Sequence, residues 1–182
     1  MPERQRVAEL VDRLSRIAHT LQFADGLNPA QWAALRYLAR ANRYSLTPGA
    51  LAEFLGTTKG TASQTLIALE SKGLIRRSRA AEDRRSVAIE VTEEGKATLS
   101  RDPVRHIVAA SAKFSGADQR AIAEGMDLLL AALQKDHDRV SFGYCDRCTH
   151  LRIAHGGNAC GVTDDELAKE ELTRLCVNFK AT

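Results

Sequence analysis

The sequence predicts a mainly α-helical (α+β) fold that carries one small β-hairpin. Three observations lead there. Alanine, leucine, glutamate and arginine dominate the chain, and side chains of this kind lose little rotamer freedom in a helix. Apolar residues recur at helical spacing through most of the stretch up to His137. That spacing breaks at residues 74–91, where short β-compatible runs flank a basic segment. Aromatic residues make up only 5% of the chain, so aliphatic side chains and alanine must build the core. The 182 residues suit one domain with an appendage better than two full domains.

Taken in order, residues 4–22 place Val7, Leu10, Val11, Leu14, Ile17 and Leu21 on one face of an amphipathic helix. Asn28-Pro29 starts a second helix, with Asn as cap and Pro in the first turn, running through Trp32, Leu35 and Leu38 to about Ala41. Thr47-Pro48 starts a short third helix that Gly56 stops. Thr57 or Thr58 caps a fourth, Lys59 to Lys72, which Gly73 ends. Leu74-Ile75-Arg76-Arg77-Ser78 and Ser86–Val91 read as two strands, the second with Val87, Ile89 and Val91 on one face. Thr92 opens another helix that Asp102-Pro103 interrupts. A long helix from Asp118 to about His137 carries Ile122, Met126, Leu129, Leu130 and Leu133 in a stripe.

Two short helices joined at a glycine, then strand, basic loop and strand, is the order of a winged helix-turn-helix. In the second of the two helices, Ala62, Leu66 and Leu69 face inward, while Lys59, Thr61, Ser63, Gln64 and Thr65 crowd the first turns. The N-terminal residues of such a helix meet base edges in the major groove. Gln pairs with adenine through two hydrogen bonds, Ser and Thr bond bases or phosphates, and Lys59 suits a phosphate. The net charge of +3 says little, but Lys72, Arg76, Arg77, Arg79, Arg84 and Arg85 cluster against only Glu82 and Asp83. Arg84 and Arg85 sit at the expected hairpin tip, a shape suited to a narrow minor groove. Taken singly, this helix also reads as an ordinary polar surface and the basic run as a solvated loop.

The stretch Thr57 to Gly95 resembles the multiple-antibiotic-resistance regulator (MarR) family. The matching residues are TASQTLIALESKGLIRR and EDRRSVAIEVTEEG, with Asp83-x-Arg85 and Val91-Thr92-x-x-Gly95 the most specific parts. In helix order the resemblance covers roughly residues 4 to 138. It implies that Arg85 enters the minor groove, that Asp83 orients the wing, and that Lys59, Thr61, Ser63 and Gln64 take the major-groove positions. It also implies a homodimer knitted together by long N- and C-terminal helices. The apolar stripes on those two helices independently exceed what one winged helix covers. A two-fold dimer would read pseudo-palindromic double-stranded DNA with half-sites about one helical turn apart.

All four cysteines lie in the tail, at Cys145, Cys148, Cys160 and Cys176. The family pattern ends before them. Their spacing, C-x2-C-x11-C-x15-C, admits three readings. Four thiolates hold an iron–sulfur cluster, whose ligand spacing is variable. They also hold one structural zinc ion (Zn2+), which more often uses two close pairs. The Cys145-Cys148 pair alone suits thiol redox chemistry, although such a motif belongs in a βαβ setting that the neighbouring pattern lacks. The separated Cys160 and Cys176 favour the cluster. A helix from Asp164 to Phe179, capped by Thr163, is expected to carry Cys176. Phe142 and Tyr144 would lie over the centre as an aromatic lid or pack against that helix. His150 and His155 read as solvated loop residues.

The domain expectation is an N-terminal dimerisation helix (1–28), a DNA-binding domain (29–95), C-terminal dimerisation helices (96–140) and a four-cysteine metal-binding tail (141–182). The function expected is transcription regulation rather than catalysis, with DNA binding modulated by the cluster as a redox, oxygen or iron sensor. Two alternatives stand beside it: a repressor that answers a small-molecule effector and has a structural zinc, and a thiol redox protein. The N-terminus has no apolar signal core, and no run approaches the roughly 18 apolar residues that cross a bilayer. A cytoplasmic location without membrane partners is therefore expected. In that reducing setting, clustered thiols suit metals better than disulfides.

Overall fold

The computed structural model describes residues 2–79, 87–136, 141–154 and 157–180. Its seven described helices are α1 (Glu3–Leu21), α2 (Pro29–Arg40), α3 (Pro48–Leu55), α4 (Lys59–Ser71), α5 (Glu93–Leu99), α6 (Arg105–Ser111) and α7 (Gly116–Asp136). Between α4 and α5, β1 (Ile75–Arg79) pairs antiparallel with β2 (Val87–Val91), and Ile75 stands opposite Val91. This is the expected winged helix-turn-helix with flanking helices. Asp83, Arg84 and Arg85, assigned to the wing tip, lie outside the described residues.

The helix boundaries follow local chemistry. The Asn28 side chain accepts from the Gln31 amide, and the Gln31 side chain accepts from the Asn28 amide. Each bond satisfies a donor that a helix start would otherwise leave open. Thr47 caps α3, Thr58 caps α4 and Thr92 caps α5, each accepting from the amide three residues on. Gly56 ends α3 at φ 62°, a left-handed conformation that glycine adopts without a side-chain clash.

The core lies between α2, α3, α4 and the base of the hairpin. Trp32, Leu35, Leu51, Ala62, Leu66 and Leu69 are fully buried, with Ile75 and Ile89 closing the edge. Each large aliphatic side chain placed there contributes about 1.5–3 kcal/mol. Arg36 ties this core to the flanking segments. It pairs with Asp102 at 2.9 Å and donates to the Gln22 side chain at the end of α1. By contrast α1, α6 and α7 bury no residue within the chain.

The tail corrects the expectation of a terminal helix. Residues 164–179 form β6 (Glu166–Leu167), a one-turn 3-10 helix (Lys169–Glu171) and β7 (Leu175–Cys176) instead. The reason is local. Asp164 takes a left-handed φ of 60°, and the amide of Cys160 bonds the carbonyl of Asp165, so the chain turns sharply where the helix would begin. The rest of the tail comprises β3 (Gly143–Tyr144), β4 (Leu151–Ala154) and β5 (Gly157–Cys160). β4, β5 and β6 form one antiparallel sheet, and β3 pairs with β7.

Candidate DNA-contacting surface and cysteine cluster

The start of α4 is an open polar face. Lys59, Thr61 and Gln64 are exposed, and Ser63 is half-buried. Thr58 holds the Thr61 amide at 3.1 Å, and the two hydroxyls lie 3.0 Å apart. Thr65 is the exception among the expected contacts. It is buried, and its hydroxyl donates to the Thr61 carbonyl at 3.1 Å, so it turns toward the core. A Thr in mid-helix commonly satisfies itself this way. Gly60 and Ile67, which the sequence reading passed over, share the open face with Gln64. Their spacing from Gln64, four residues before and three after, was the available signal.

Part of the expected basic patch is used inside the chain. Arg77 grips Glu70 of α4 through its guanidinium and its amide. Arg76 pairs with Glu90 across the hairpin at 2.7 Å, and Lys72 donates to the Gly26 carbonyl. The side-chain hydrogen bond from Arg77 holds the Glu70 carboxyl below its ordinary pKa. The Arg77–Glu70 pair fixes the base of the wing against α4.

Around the tail, the four cysteines are brought together. Cys145 and Cys148 flank a single 3-10 turn closed by the Cys148 amide on the Cys145 carbonyl at 3.1 Å. Cys160 ends β5 and Cys176 lies in β7. All four are free thiols lining one narrow cavity of about 10 Å³, together with His150, Leu151, Leu167 and Asn178. Cys145, Cys160 and Cys176 are buried and form a small core of their own with Leu167. Burial, then the neighbouring Cys176, Cys148 and Cys160, push the Cys145 thiol up to about 11. Burial also opposes ionisation of Cys160, but the Val162 and Thr163 amides and the Thr163 side chain outweigh it and lower that thiol. The Lys180 amide donates to the Cys148 sulfur at 3.5 Å. As placed, no three His, Cys, Asp or Glu side chains among the described residues stand in a metal-holding arrangement. The donor set itself, four thiols around one small space, is the set that zinc and iron–sulfur centres use.

The aromatic lid is differently made. Phe142 packs on Tyr37 and Phe54 in the helix-turn-helix core, with ring centroids 5.8 and 5.3 Å away. Tyr144 lies beside Arg40. Tyr44 and Phe179 are the aromatic rings that pack against the cysteines. Gly143 makes room for the latter, since a Cβ there would stand 2.6 Å from the Phe179 ring.

The tail docks on the helix-turn-helix domain. Leu175 enters the main core and bridges to Ala41, and its carbonyl accepts from the Asn42 amide at 2.8 Å. The Val177 amide donates to the Ser45 hydroxyl at 2.8 Å. Arg174 caps the Ala39 carbonyl, and Arg43 reaches both Glu166 and Glu171. Tyr44 donates to Asp165 at 2.6 Å. The cysteine cluster is therefore strapped to the turn between α2 and α3.

Similarity to known proteins agrees with this geometry. Residues 25–86 match the model of the MarR family. The chain is 30% identical to the HTH-type transcriptional repressor YetL of Bacillus subtilis (strain 168) over 135 residues, 72% of this chain and 78% of that protein. Among solved structures, a mutant of S. aureus MepR aligns with a TM-score of 0.59 at 21% identity, over 74% of this chain and 100% of that one. A MarR transcriptional regulator from Methanosarcina mazei Go1 aligns with a TM-score of 0.58 at 22% identity, over 72% and 98%. The first of these leaves about a quarter of this chain without a counterpart, close to the share held by the cysteine tail. Core, wing and sequence relationship together show that the chain belongs to the MarR family of winged-helix transcriptional regulators.

Proposed function

We propose that the chain acts in the cytoplasm as a homodimeric, sequence-specific DNA-binding regulator whose hold on DNA depends on a thiolate-ligated inorganic centre in its tail. The observation that carries the DNA reading is the division of α4. Ala62, Thr65, Leu66 and Leu69 are committed to the core, which leaves Lys59, Gly60, Thr61, Gln64 and Ile67 on an open face at the helix start. A structure of S. aureus MepR with DNA has the same fold, with a TM-score of 0.55 over 70% of this chain. The dimer reading rests on α1 and α7. Val7, Leu10, Leu14, Ile17, Met126, Leu130 and Leu133 are all exposed in the single chain. A second copy covers such stripes and sets two α4 helices to meet successive major grooves.

The wing reading extends the same surface, with Arg84 and Arg85 approaching the minor groove and Asp83 orienting them. For the centre, four thiols lining one space support a thiolate-ligated metal. The separated Cys160 and Cys176 favour an iron–sulfur cluster, and one tetrahedral zinc ion is the second reading. A small-molecule effector has family support: CouR from Rhodococcus jostii RHA1, of the same fold, was solved with p-coumaroyl-CoA.

The test is in vitro selection of operators from random duplexes, followed by anisotropy measurements at fixed salt. A pseudo-palindrome with half-sites about one turn apart is expected; no enriched sequence would overturn the DNA reading. Protein purified without oxygen is expected to be brown and to hold iron and sulfide. Colourless protein with one zinc per chain supports the zinc reading. Neither metal, with none taken up on addition, overturns the centre.

A further inference from the structure

β7 is shared between two cores. Leu175 is 7% exposed and belongs to the helix-turn-helix core, against which Val177 also packs. Cys176, between them, is 5% exposed and belongs to the cysteine core with Cys145, Cys160 and Leu167. Successive side chains of an extended strand point to opposite faces, so each face of this segment serves one core. The backbone is divided in the same way. β3, which runs straight into Cys145, pairs with β7 and places Gly143 opposite Cys176. Ala41 bridges to Leu175, whose carbonyl accepts from the Asn42 amide at 2.8 Å. The Val177 amide donates to the hydroxyl of the fully buried Ser45 at 2.8 Å. One residue before the strand, Arg174 donates to the Ala39 carbonyl at 3.1 Å.

Residues adjacent in a strand are held about 3.8 Å apart, so Leu175 and Val177 cannot leave one core without shifting Cys176 in the other. We propose that β7 transmits the state of the cysteine centre to the helix-turn-helix. The centre holds Cys176, and through it Leu175 and Val177 hold the end of α2 and the turn that leads into α3. This rests on the thiolate-ligated centre proposed above. Without a bound metal, the tail keeps only the small apolar core around Leu167, Leu151 and Leu172, and a core of that size is marginal. β7 then undocks more often, and its bonds to Ala39, Asn42 and Ser45 go with it. Ser45 lies two residues before Thr47, the cap of α3, and α3 packs on α4. Undocking therefore loosens the seat of the DNA-contacting helix, and reloading the centre tightens it.

The experiment compares the full chain purified without oxygen, its metal-stripped form, and stripped protein reloaded with Fe2+ and sulfide or with Zn2+. Anisotropy at fixed salt reads affinity for the selected operator, and hydrogen exchange by mass spectrometry reads residues 39–46 and 173–178. In the wild type, stripping is expected to weaken operator binding about tenfold, within the usual range of coupling between sites. It is also expected to speed exchange in both segments, and reloading restores both readouts. Leu175→Ala empties the helix-turn-helix face of β7, and Ser45→Ala removes the acceptor of the Val177 amide; each keeps all four thiols. Both variants are expected to take up the metal, to bind operator about tenfold more weakly than the loaded wild type, and to lose the response to stripping. Ile153→Ala, at a side chain 79% exposed on β4, is the control and keeps the wild-type response. A wild-type response in either folded variant overturns β7 as the route, as does unchanged exchange at 39–46 when stripping weakens the wild type. Circular dichroism checks folding, and the wild-type exchange result decides the proposal if neither variant folds. Unchanged wild-type operator affinity on stripping overturns the dependence of DNA binding on the centre, and uptake of neither iron with sulfide nor zinc overturns the centre itself; this coupling falls with either.

Discussion

Gly95→Ala probes how the wing is seated. Gly95 lies in the first turn of α5, where the helix abuts the start of β1. A Cβ at this position would stand 2.2 Å from the Leu74 carbonyl oxygen, 2.7 Å from Val91 Cγ1 and 3.1 Å from the Leu74 carbonyl carbon. Two of these partners are backbone atoms, so no side-chain rotation relieves the clash, and α5 must withdraw by about 1 Å to reach ordinary contact. Withdrawal stretches the Thr92 amide bond to Leu74, the Thr92 hydroxyl bond to Gly73 and the Gly95 amide bond to Thr92. Overpacking of a tight site costs about 1–3 kcal/mol, and one or two weakened hydrogen bonds add about 0.5–1.5 kcal/mol each. The expected loss is about 2–5 kcal/mol. At about 2–4 °C per kcal/mol for a chain of this size, Tm falls by roughly 4–20 °C. The assay is thermal unfolding by circular dichroism at fixed protein concentration, because a dimer's Tm depends on it. Gly60→Ala is the control: its Cβ meets only Thr58 Oγ1 at 3.8 Å. It should leave Tm unchanged or slightly raised, since alanine is the better helix former. A Gly95→Ala variant as stable as Gly60→Ala would refute the claim that this helix start is locked against β1.

Four further outcomes follow from the same geometry. Met126→Asp together with Leu130→Asp on α7 is expected to give a monomer by light scattering, with operator affinity falling to the non-specific level. Gln64→Ala should cost about 1–3 kcal/mol on the selected operator and relax one base position, whereas Lys59→Ala should weaken all sequences alike and reduce the salt slope by about one; Thr65→Val, whose hydroxyl serves Thr61, should leave DNA affinity nearly unchanged. Cys160→Ser is expected to abolish stoichiometric metal binding and lower Tm, because Leu175 is anchored in the main core by the same tail. Glu70 titrates low in the folded chain, so its contribution is present above its unfolded pKa and lost as pH falls through the lowered folded value; in acid unfolding, Glu70→Gln should remove that part of the decline.

The helix-turn-helix was legible in the residues because its signals are local. Asn28, Thr58, Gly56 and the alternation of Val87, Ile89 and Val91 specify starts, stops and a strand over a few positions each. The family motif ending at Gly95 was legible too, but its reason, a carbonyl oxygen 2.2 Å from the missing side chain, is a fact of packing. Thr65 shows the limit on the recognition helix. Its residue type suits a base contact, and only the angle of α4 against the core turns it inward.

By itself the sequence determined the order of helices and hairpin, the polar start of α4, the uncovered stripes of α1 and α7, and the isolation of four cysteines in the tail. Each is written in residue type and short-range periodicity. The tertiary structure decided how the tail folds and where it rests. Leu167, Leu172 and Leu175 fitted a helical reading, yet the turn at Asp164 sends Leu175 into the neighbouring domain's core and gathers Cys145, Cys148, Cys160 and Cys176 around one space. A short tail has too little apolar surface to fold on local preference. Its conformation is set by contacts with residues more than a hundred positions away, such as Ala41, Asn42 and Ser45, and no local pattern encodes partners so distant.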